Sequence, residues 1–380
     1  MLDKIVQTSL KNRLLVLVFT AGIVGLGYWS YQTIPVDSYP DRTPTMVRIF
    51  TVAQGLSPVD VEKQISYPIE ISMYGLPHLD RVTSTSVFGL SQVNVYFKDG
   101  TDYFFGRRLV MERLSQARQQ IPEGVGQPRL GPMSTGLGRI HMYEVVNEGE
   151  ADHSLTERRS AQDWIVKPML RTTPGVTGVL SVGGHIRQYQ VHLDHEKMLA
   201  RDIAIEDVRR ALGANNKNVG ASYVERAGEE FIVRGYGWVS PGPEGLEDLR
   251  SIPVAEHGGT PIRIQDVGEV RFGPAIRRGT LTHDGQETVG GFTLKLIDTN
   301  SQEVLDRVEE RLGAIRDALP DGMGIETFYS QGDLIEKAIG TIENALLQGA
   351  ILVLLCLYLF LGNIRSTLVI VAALPFSSLV

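Results

Sequence analysis

The segment Ser134–Tyr143, STGLGRIHMY, gathers the side chains with the widest chemical scope in this chain. Arg139 offers a permanent cation, His141 an imidazole that titrates near neutrality, and Met142 a soft thioether. Ser134 and Thr135 add hydroxyls, and Gly136 and Gly138 leave room for a ligand beside the backbone. Ser134, Thr135, Arg139, His141 and Met142 are therefore candidates for contact with a ligand; the bland alternative is a strand with alternating exposure. A second cluster, His192-Leu193-Asp194-His195-Glu196, holds groups of the kind zinc takes. It straddles a strand end and a helix start, where alternate residues point to opposite faces, so it reads as a solvated turn. His195-Glu196 begins an H-E-x-x-H pattern, but Leu199 stands where the second histidine is needed. The sequence contains no G-x-x-x-x-G-K-[ST] and no G-x-S-x-G, so neither an ATP site nor a nucleophile elbow is present. No catalytic residue, cofactor or metal-ligand set is expected, and the chain does not read as an enzyme.

The net charge of −7 gives no general attraction to nucleic acid. Cys356 is the only cysteine, which excludes an intrachain disulfide and a cysteine metal centre.

These groups must be positioned by a chain organised around apolar runs. Leu14–Tyr31 holds eighteen residues without a charge, about what a helix needs to cross a bilayer. Lys4, Lys11 and Arg13 precede it, and Tyr28, Trp29 and Tyr31 close it, which sets its N-terminus in the cytoplasm. Its exit, YWSYQTIPVDSYP, lacks the A-x-A pattern of a cleaved signal peptide. A second run, Ala345–Leu361, is followed by the short loop Gly362–Ser366 with Arg365, then by a third run, Thr367–Val380. The third has fourteen residues, too few to span, so the chain is expected to be a piece of a longer membrane protein. Residues from about 35 to 335 then lie outside the cytoplasm, with Arg365 inside, as the positive-inside rule asks.

The extramembrane region reads as β-α-β-β-α, with a strand after Pro128 completing a split βαβ unit. Met46–Ala53 is the first strand. Ser57 caps a helix with Pro58 in its first turn, Val61, Ile65, Ile69 and Met73 form its buried stripe, and Pro68 is expected to kink it. Leu79–Val87 and Gln92–Lys98 alternate as strands, and Thr101–Gln119 has helical spacing. The order then repeats: strand Ile140–Asn147, helix Thr156–Arg171, strand Val176–Val182, strand Glu287–Leu296, helix Ser301–Leu319 and strand Gly324–Tyr329. Between the halves of this second unit lies an insertion, His185–Phe272, with a hairpin at Tyr223–Val239. Internal duplication on this scale suits a transporter with an inserted module.

These segments resemble the N-terminal part of a resistance-nodulation-division (RND) efflux transporter, nearest the heavy-metal branch of cobalt-zinc-cadmium and copper-silver pumps. The resemblance is carried by PDRTPTMVRIFTVAQGLSPVDVEKQISYPIE, GLPHLDRVTSTSVFGLSQVNVYFKDGTD, GPMSTGLGRIHMYEV, QDWIVKPMLRTTPGV, SVGGHIRQYQVHLD, NVGASYVERAGEEFIVRGYGW and GPAIRRG, in family order over the whole chain. It implies an α+β membrane protein in which transmembrane helices carry periplasmic ferredoxin-like βαββαβ porter subdomains with an inserted α+β docking subdomain. The implied layout is a cytoplasmic N-terminus and first transmembrane helix at 1–34, a first porter subdomain at 35–133 and a second at 134–184 and 273–330. Docking occupies 185–272, the second transmembrane helix 331–362, and the start of a third 366–380. It further implies a proton-driven homotrimer in the bacterial inner membrane, working with a periplasmic adaptor and an outer-membrane channel. The strand that Ser134–Tyr143 leads into would line the substrate cleft, with Ser134, Thr135, Arg139, His141 and Met142 as the substrate-path candidates. The helix Thr101–Gln119 would line the pore at the trimer axis, with Asp102, Arg107 and Arg108 as pore candidates. The Lys217–Arg234 hairpin would be the docking arm that reaches a neighbouring subunit. Two departures bear on substrate. Arg139 stands where relatives handling hard cations often carry an acid, and Ile276 stands where soft-metal relatives tend to carry Met. An organic-substrate pump of the same family and a membrane-anchored periplasmic sensor stay open beside the metal pump.

Overall fold

The computed structural model describes residues 11–33, 43–277 and 279–362. The expected third helix, the Arg365 loop and most of the proline-rich exit from the first apolar run lie outside the described residues.

Helix α1 spans Arg13–Thr33. The first extramembrane unit opens with β1, Met46–Val52. Helix α2, residues 58–73, follows; Ser57 caps it by accepting the Asp60 N–H, and Pro58 stands in the first turn. The expected kink at Pro68 is instead a π turn. Helical segments Pro58–Val61 and Tyr67–Met73 flank a wider coil at Glu62–Ser66, where the Tyr67 N–H reaches the Glu62 carbonyl. Proline has no N–H, and its ring crowds the carbonyl one turn back; opening that turn by one residue relieves both problems. Strands β2 (Leu79–Val87) and β3 (Leu90–Phe97) come next, then α3 (Tyr103–Arg118) and the short β4 (Arg129–Leu130). The sheet runs β2-β3-β1-β4, antiparallel throughout. One face is covered by α2 and α3, whose Ile65, Ile69, Val110 and Leu114 close a core with Val47, Ile49, Val93 and Val95. Gly106 permits this contact, because a Cβ there would lie 2.9 Å from the Phe97 ring.

The second unit repeats the plan. It contains β5 (Arg139–Asn147), α4 (residues 155–171), β6 (Val176–Gly183), and, after an insertion, a long strand, a helix and a strand. Ser154 and Glu157 form a full capping box at the start of α4. A π turn at Gln162–Val166 again ends just before an x-Pro step, with the Lys167 N–H on the Gln162 carbonyl.

The insertion comprises β7 (Arg187–Leu193), α5 (His195–Leu199), α6 (Ile205–Asn215), β8 (Val219–Arg226), β9 (Glu229–Gly235), α7 (Glu244–Ser251), β10 (Pro253–His257), β11 (Thr260–Arg263), α8 (Ile264–Val267) and β12 (Gly268–Pro274). Its small cores gather around Ile264, Val270 and Leu249 and around Met198, Val208 and Val267. The β8–β9 hairpin stands clear of them: every residue of β9 is exposed, Phe231, Ile232 and Val233 included. It starts earlier in the sequence than the expected Tyr223–Val239, turning at Ala227-Gly228, both with positive φ.

Strands β13 (Leu281–His283) and β14 (Gln286–Lys295), helix α9 (Ser301–Ala318) and strand β15 (Met323–Ser330) complete the second unit. Strand β14 pairs with both β6 and β5, and β5 pairs with β15, so the order β6-β14-β5-β15 matches that of the first sheet. Val304, Leu305, Val308, Leu312 and Ile315 of α9 pack with Tyr143, Val145, Val166 and Leu170.

From β15 the chain passes directly into α10, Gln331–Leu361. This helix begins some fourteen residues before the apolar run at Ala345, because its first turns are polar and belong to the second unit's surface. Among the described residues it is the one helix long and apolar enough to cross a membrane, over Gln331–Phe360. Among the described residues none covers its span: Leu346, Leu352 and Phe360 are open, an apolar surface too large to leave in water. Helix α1 carries the shorter apolar stretch Val18–Gly27.

Candidate substrate-facing surface

Strand β5 holds most of the path candidates, and it does not present them together. It is the strand between β14 and β15, so its exposure is set by what lies above and below the sheet. A bulge between Thr293 and Leu294, opposite Arg139–His141, breaks simple alternation at its start. Arg139 is exposed and, among the described residues, makes no ion pair. His141, expected to face a cleft, is only 1 % exposed. Its Nε2 lies 2.9 Å from the Thr327 hydroxyl, its ring stacks on Tyr143, and its Nδ1 has no partner among the described residues. Burial lowers its pKa from 6.5 to about 4, against the smaller opposing pull of Asp333. It is a neutral interior group, not a ligand at the surface.

Met142 is half-buried on the other face of the sheet, between Phe292 and Tyr329 in the ladder. Ser134 and Thr135 lie ahead of the strand; the Ser134 hydroxyl fills the space where a Cβ on Gly138 would sit. Thr135 opens into a cavity of about 500 Å³ between the two units, shared with Thr45, Asp102, Lys295 and Asp298. That cavity joins one path candidate to one pore candidate. Asp102 itself is the α3 cap, accepting the Phe105 N–H at 2.6 Å. Arg107, expected to face water or a neighbouring subunit, is half-buried and donates to the Gly131 carbonyl at 2.9 Å and toward the Tyr103 hydroxyl at 3.3 Å. It closes the end of its own unit. Arg108 is exposed.

The sequence reading missed the most unusual group on this surface. Glu144, two residues beyond Met142 on the same face, has a side chain only 3 % exposed. His283 Nδ1 from β13 meets its Oε1, and Glu326 stands directly across the ladder from it on β15. Contact with Glu144, helped by Asp284 and Glu326, raises the His283 pKa above its usual value. A carboxylate in the middle of a central strand was a visible signal, since such a charge needs a partner. Met142, Glu144, Glu326 and His283 thus line one side of the second sheet with a thioether, two carboxylates and an imidazole. Among the described residues no three His, Cys, Asp or Glu side chains are gathered closely enough to hold a metal ion. Carboxylate, imidazole and thioether groups share this face without forming a closed binding cage.

The His192–Glu196 cluster is a turn: Asp194 caps α5 by accepting the Glu196 and Lys197 N–H groups. Ile276 is almost fully exposed.

Two duplicated α/β units, an inserted module and an uncovered apolar helix are the layout of the N-terminal part of an RND pump. The AcrB/AcrD/AcrF family matches residues 5–380, and this chain belongs to that family. Its relatives place it in the heavy-metal branch. It is 43% identical to the cation efflux system protein CzcA of Alcaligenes sp. (strain CT14), across all of this chain and 36% of that protein. It is equally, 43%, identical to the cobalt-zinc-cadmium resistance protein CzcA of Cupriavidus metallidurans, and 36% identical to the cation efflux system protein CusA of Escherichia coli K12. The X-ray crystal structure of a heavy metal efflux pump superposes with a TM-score of 0.89 at 30% identity, over 99% of this chain and 37% of that one. The chain spans little more than a third of the length of the relatives it matches.

Proposed function

We propose that this chain is the N-terminal portion of the inner-membrane subunit of a proton-driven efflux pump that exports heavy-metal cations. The observation that carries this reading is the 43% identity, over the whole chain, to proteins named for cation efflux and cobalt-zinc-cadmium resistance. The Met142–Glu144–Glu326–His283 face supports it, because carboxylate, imidazole and thioether groups on one sheet face suit a cation in transit. On this reading the two α/β units are ferredoxin-like porter subdomains at 35–133 and at 134–184 with 273–330. The insertion at 185–272 is the docking subdomain, and both α1 and α10 cross the inner membrane with the units in the periplasm. Strand β5 lines the cleft through Met142, with Ser134, Thr135 and Arg139 at its approach. The exposed β8–β9 hairpin is the arm that joins three copies, and the trimer works with a periplasmic adaptor and an outer-membrane channel.

One observation favours an organic substrate instead. Arg139 is exposed and unpaired among the described residues, and two unit charges about 4 Å apart repel by roughly 4 kcal/mol at an effective dielectric near 20. The test is a chimera in which this chain replaces the matching N-terminal third of the Cupriavidus metallidurans CzcA protein, in a host deleted for its own pumps. Growth on graded zinc, cobalt and cadmium salts is the expected result. Protection against organic toxicants alone refutes the metal reading.

A further inference from the structure

The helix side of the second unit meets the insertion in a cleft that the transport surface does not use. Its walls come from α4 (Arg159, Asp163, Trp164), from β7 (Arg187, Tyr189) and from Phe272 of β12, and it encloses about 330 Å³. That volume suits a ligand of one or two rings. It lies across the sheet from Glu144: Tyr143 points to the helix side, where its hydroxyl accepts from Gln162 Nε2 of α4 at 3.0 Å, and the next residue faces the other way.

Three aromatic rings edge this cleft. Tyr189 and Phe272 are direct cross-strand partners with ring centroids 5.0 Å apart. The Tyr189 hydroxyl donates to the Ser240 and Gly242 carbonyls, each at 3.0 Å, which fixes the ring against the insertion. Trp164 is 82 % exposed, unusual for an indole, and it borders a second cavity on its other side. Two guanidinium groups complete the wall, and they differ in their commitments. Arg159 is neutralised by Asp163 at 2.8 Å and donates to the Gly183 carbonyl, while Asp163 also accepts from the Ser181 hydroxyl. Arg187 lies over the Phe272 ring, 5.3 Å from its centroid, and makes no hydrogen bond or ion pair among the described residues. Glu157 is the acid that feels its field, but that carboxylate is held by the Ser154 N–H and hydroxyl in the α4 capping box. The cleft therefore carries one uncompensated planar cation framed by aromatic faces.

We propose that this cleft binds small aromatic carboxylates, with the ring between Trp164 and the Tyr189–Phe272 pair and the carboxylate in a two-pronged contact with Arg187. A guanidinium presents two parallel N–H donors that match a carboxylate, and stacking on Phe272 holds its plane in place. The site straddles the second unit and the insertion, so an occupant ties the two together.

The test uses the full chain in lipid nanodiscs, titrated with 2-naphthoate and with its neutral analogue 2-naphthylmethanol, by calorimetry and by tryptophan emission. The naphthoate is expected to bind at one site and the neutral analogue about tenfold more weakly, as loss of a charge-assisted contact implies. Arg187→Gln is expected to weaken naphthoate binding by a similar factor. Arg187→Lys, which keeps the charge but loses the two-pronged contact and the stacking on Phe272, is expected to bind more weakly than the wild type and no more weakly than Arg187→Gln. Trp164→Phe is expected to abolish the emission change while calorimetry still registers binding. Circular dichroism establishes that each variant is folded. The proposal is overturned if naphthoate does not bind up to its solubility limit, if both analogues bind alike, or if Arg187→Gln or Arg187→Lys binds naphthoate as tightly as the wild type.

Discussion

Glu144 and His283 stand 139 residues apart in sequence and meet on one face of the second sheet, carboxylate oxygen to ring Nδ1. The acid is buried and the imidazole half exposed, so the pair is a buried charge whose partner can exchange protons with water.

The sign of its pH dependence follows. Contact with Glu144 raises the His283 pKa above its unfolded value near 6.5. The stability it contributes is complete below that value and is lost as pH rises through the higher folded pKa. Histidine ring titration should show a His283 midpoint above 6.5 in the wild type, falling back toward it in Glu144→Gln. Equal midpoints in the two proteins would mean that the contact has no electrostatic content.

His141 works in the opposite direction. Its folded pKa of about 4 lies below the unfolded 6.5, so the unfolded chain takes up a proton first as pH falls. Stability is full above 6.5 and should decline between 6.5 and 4, by about 3 kcal/mol in total at 1.36 kcal/mol per unit. Denaturant unfolding of the second unit across that range measures it. His141→Gln should flatten the slope; an unchanged slope would assign the acid sensitivity elsewhere.

Gly106 sets the distance between α3 and the first sheet. Gly106→Val should destabilise the first unit by about 1–3 kcal/mol, the usual cost of overpacking, since its Cβ alone would press on the Phe97 ring. Trimming the ring in Gly106→Val/Phe97→Leu should recover part of that loss. A double variant as unstable as the sum of the two single changes would show that the sites do not touch.

The exposed hairpin should govern assembly. Phe231→Glu adds a charge to the apolar run Phe231–Val233 of the arm, which its own subunit leaves bare. Under the trimer reading, sedimentation in detergent should show a shift from trimer toward monomer with the melting of the α/β units unchanged. A trimer population equal to that of the wild type would remove the arm from the interface.

Much of the architecture was legible because it rests on local rules. Ser57 and Pro58 mark a helix start, and the stripe Val61, Ile65, Ile69 and Met73 is fully buried. The duplicated element order was visible from strand alternation and helix spacing. The π turns before Pro68 and Pro168 were not, because a proline announces a disturbed helix without saying whether it bends or widens. The polar first turns of α10 carry no bilayer signal, and its start at Gln331 was expected only from the layout that the resemblance implies. On β5 the residue types were legible and their directions were not. One bulge opposite Arg139–His141 and a strand covered on both sides send His141 inward. Arg107 looked like a free surface cation because its acceptor, the Gly131 carbonyl, comes from a distant loop. The partner of Glu144 is likewise remote, on the far side of the insertion.

The central claim, that the chain is the N-terminal part of a metal-cation exporter, is tested most directly by following zinc itself. Cells deleted for their own pumps and carrying the chimera with CzcA are loaded with radiolabelled zinc, washed, and sampled over time. The account predicts that zinc leaves these cells faster than the deleted host, that a proton uncoupler stops the loss, and that Glu144→Gln slows it. Zinc retained as in the deleted host, with the chimera present in the membrane and an organic dye still expelled, would contradict it.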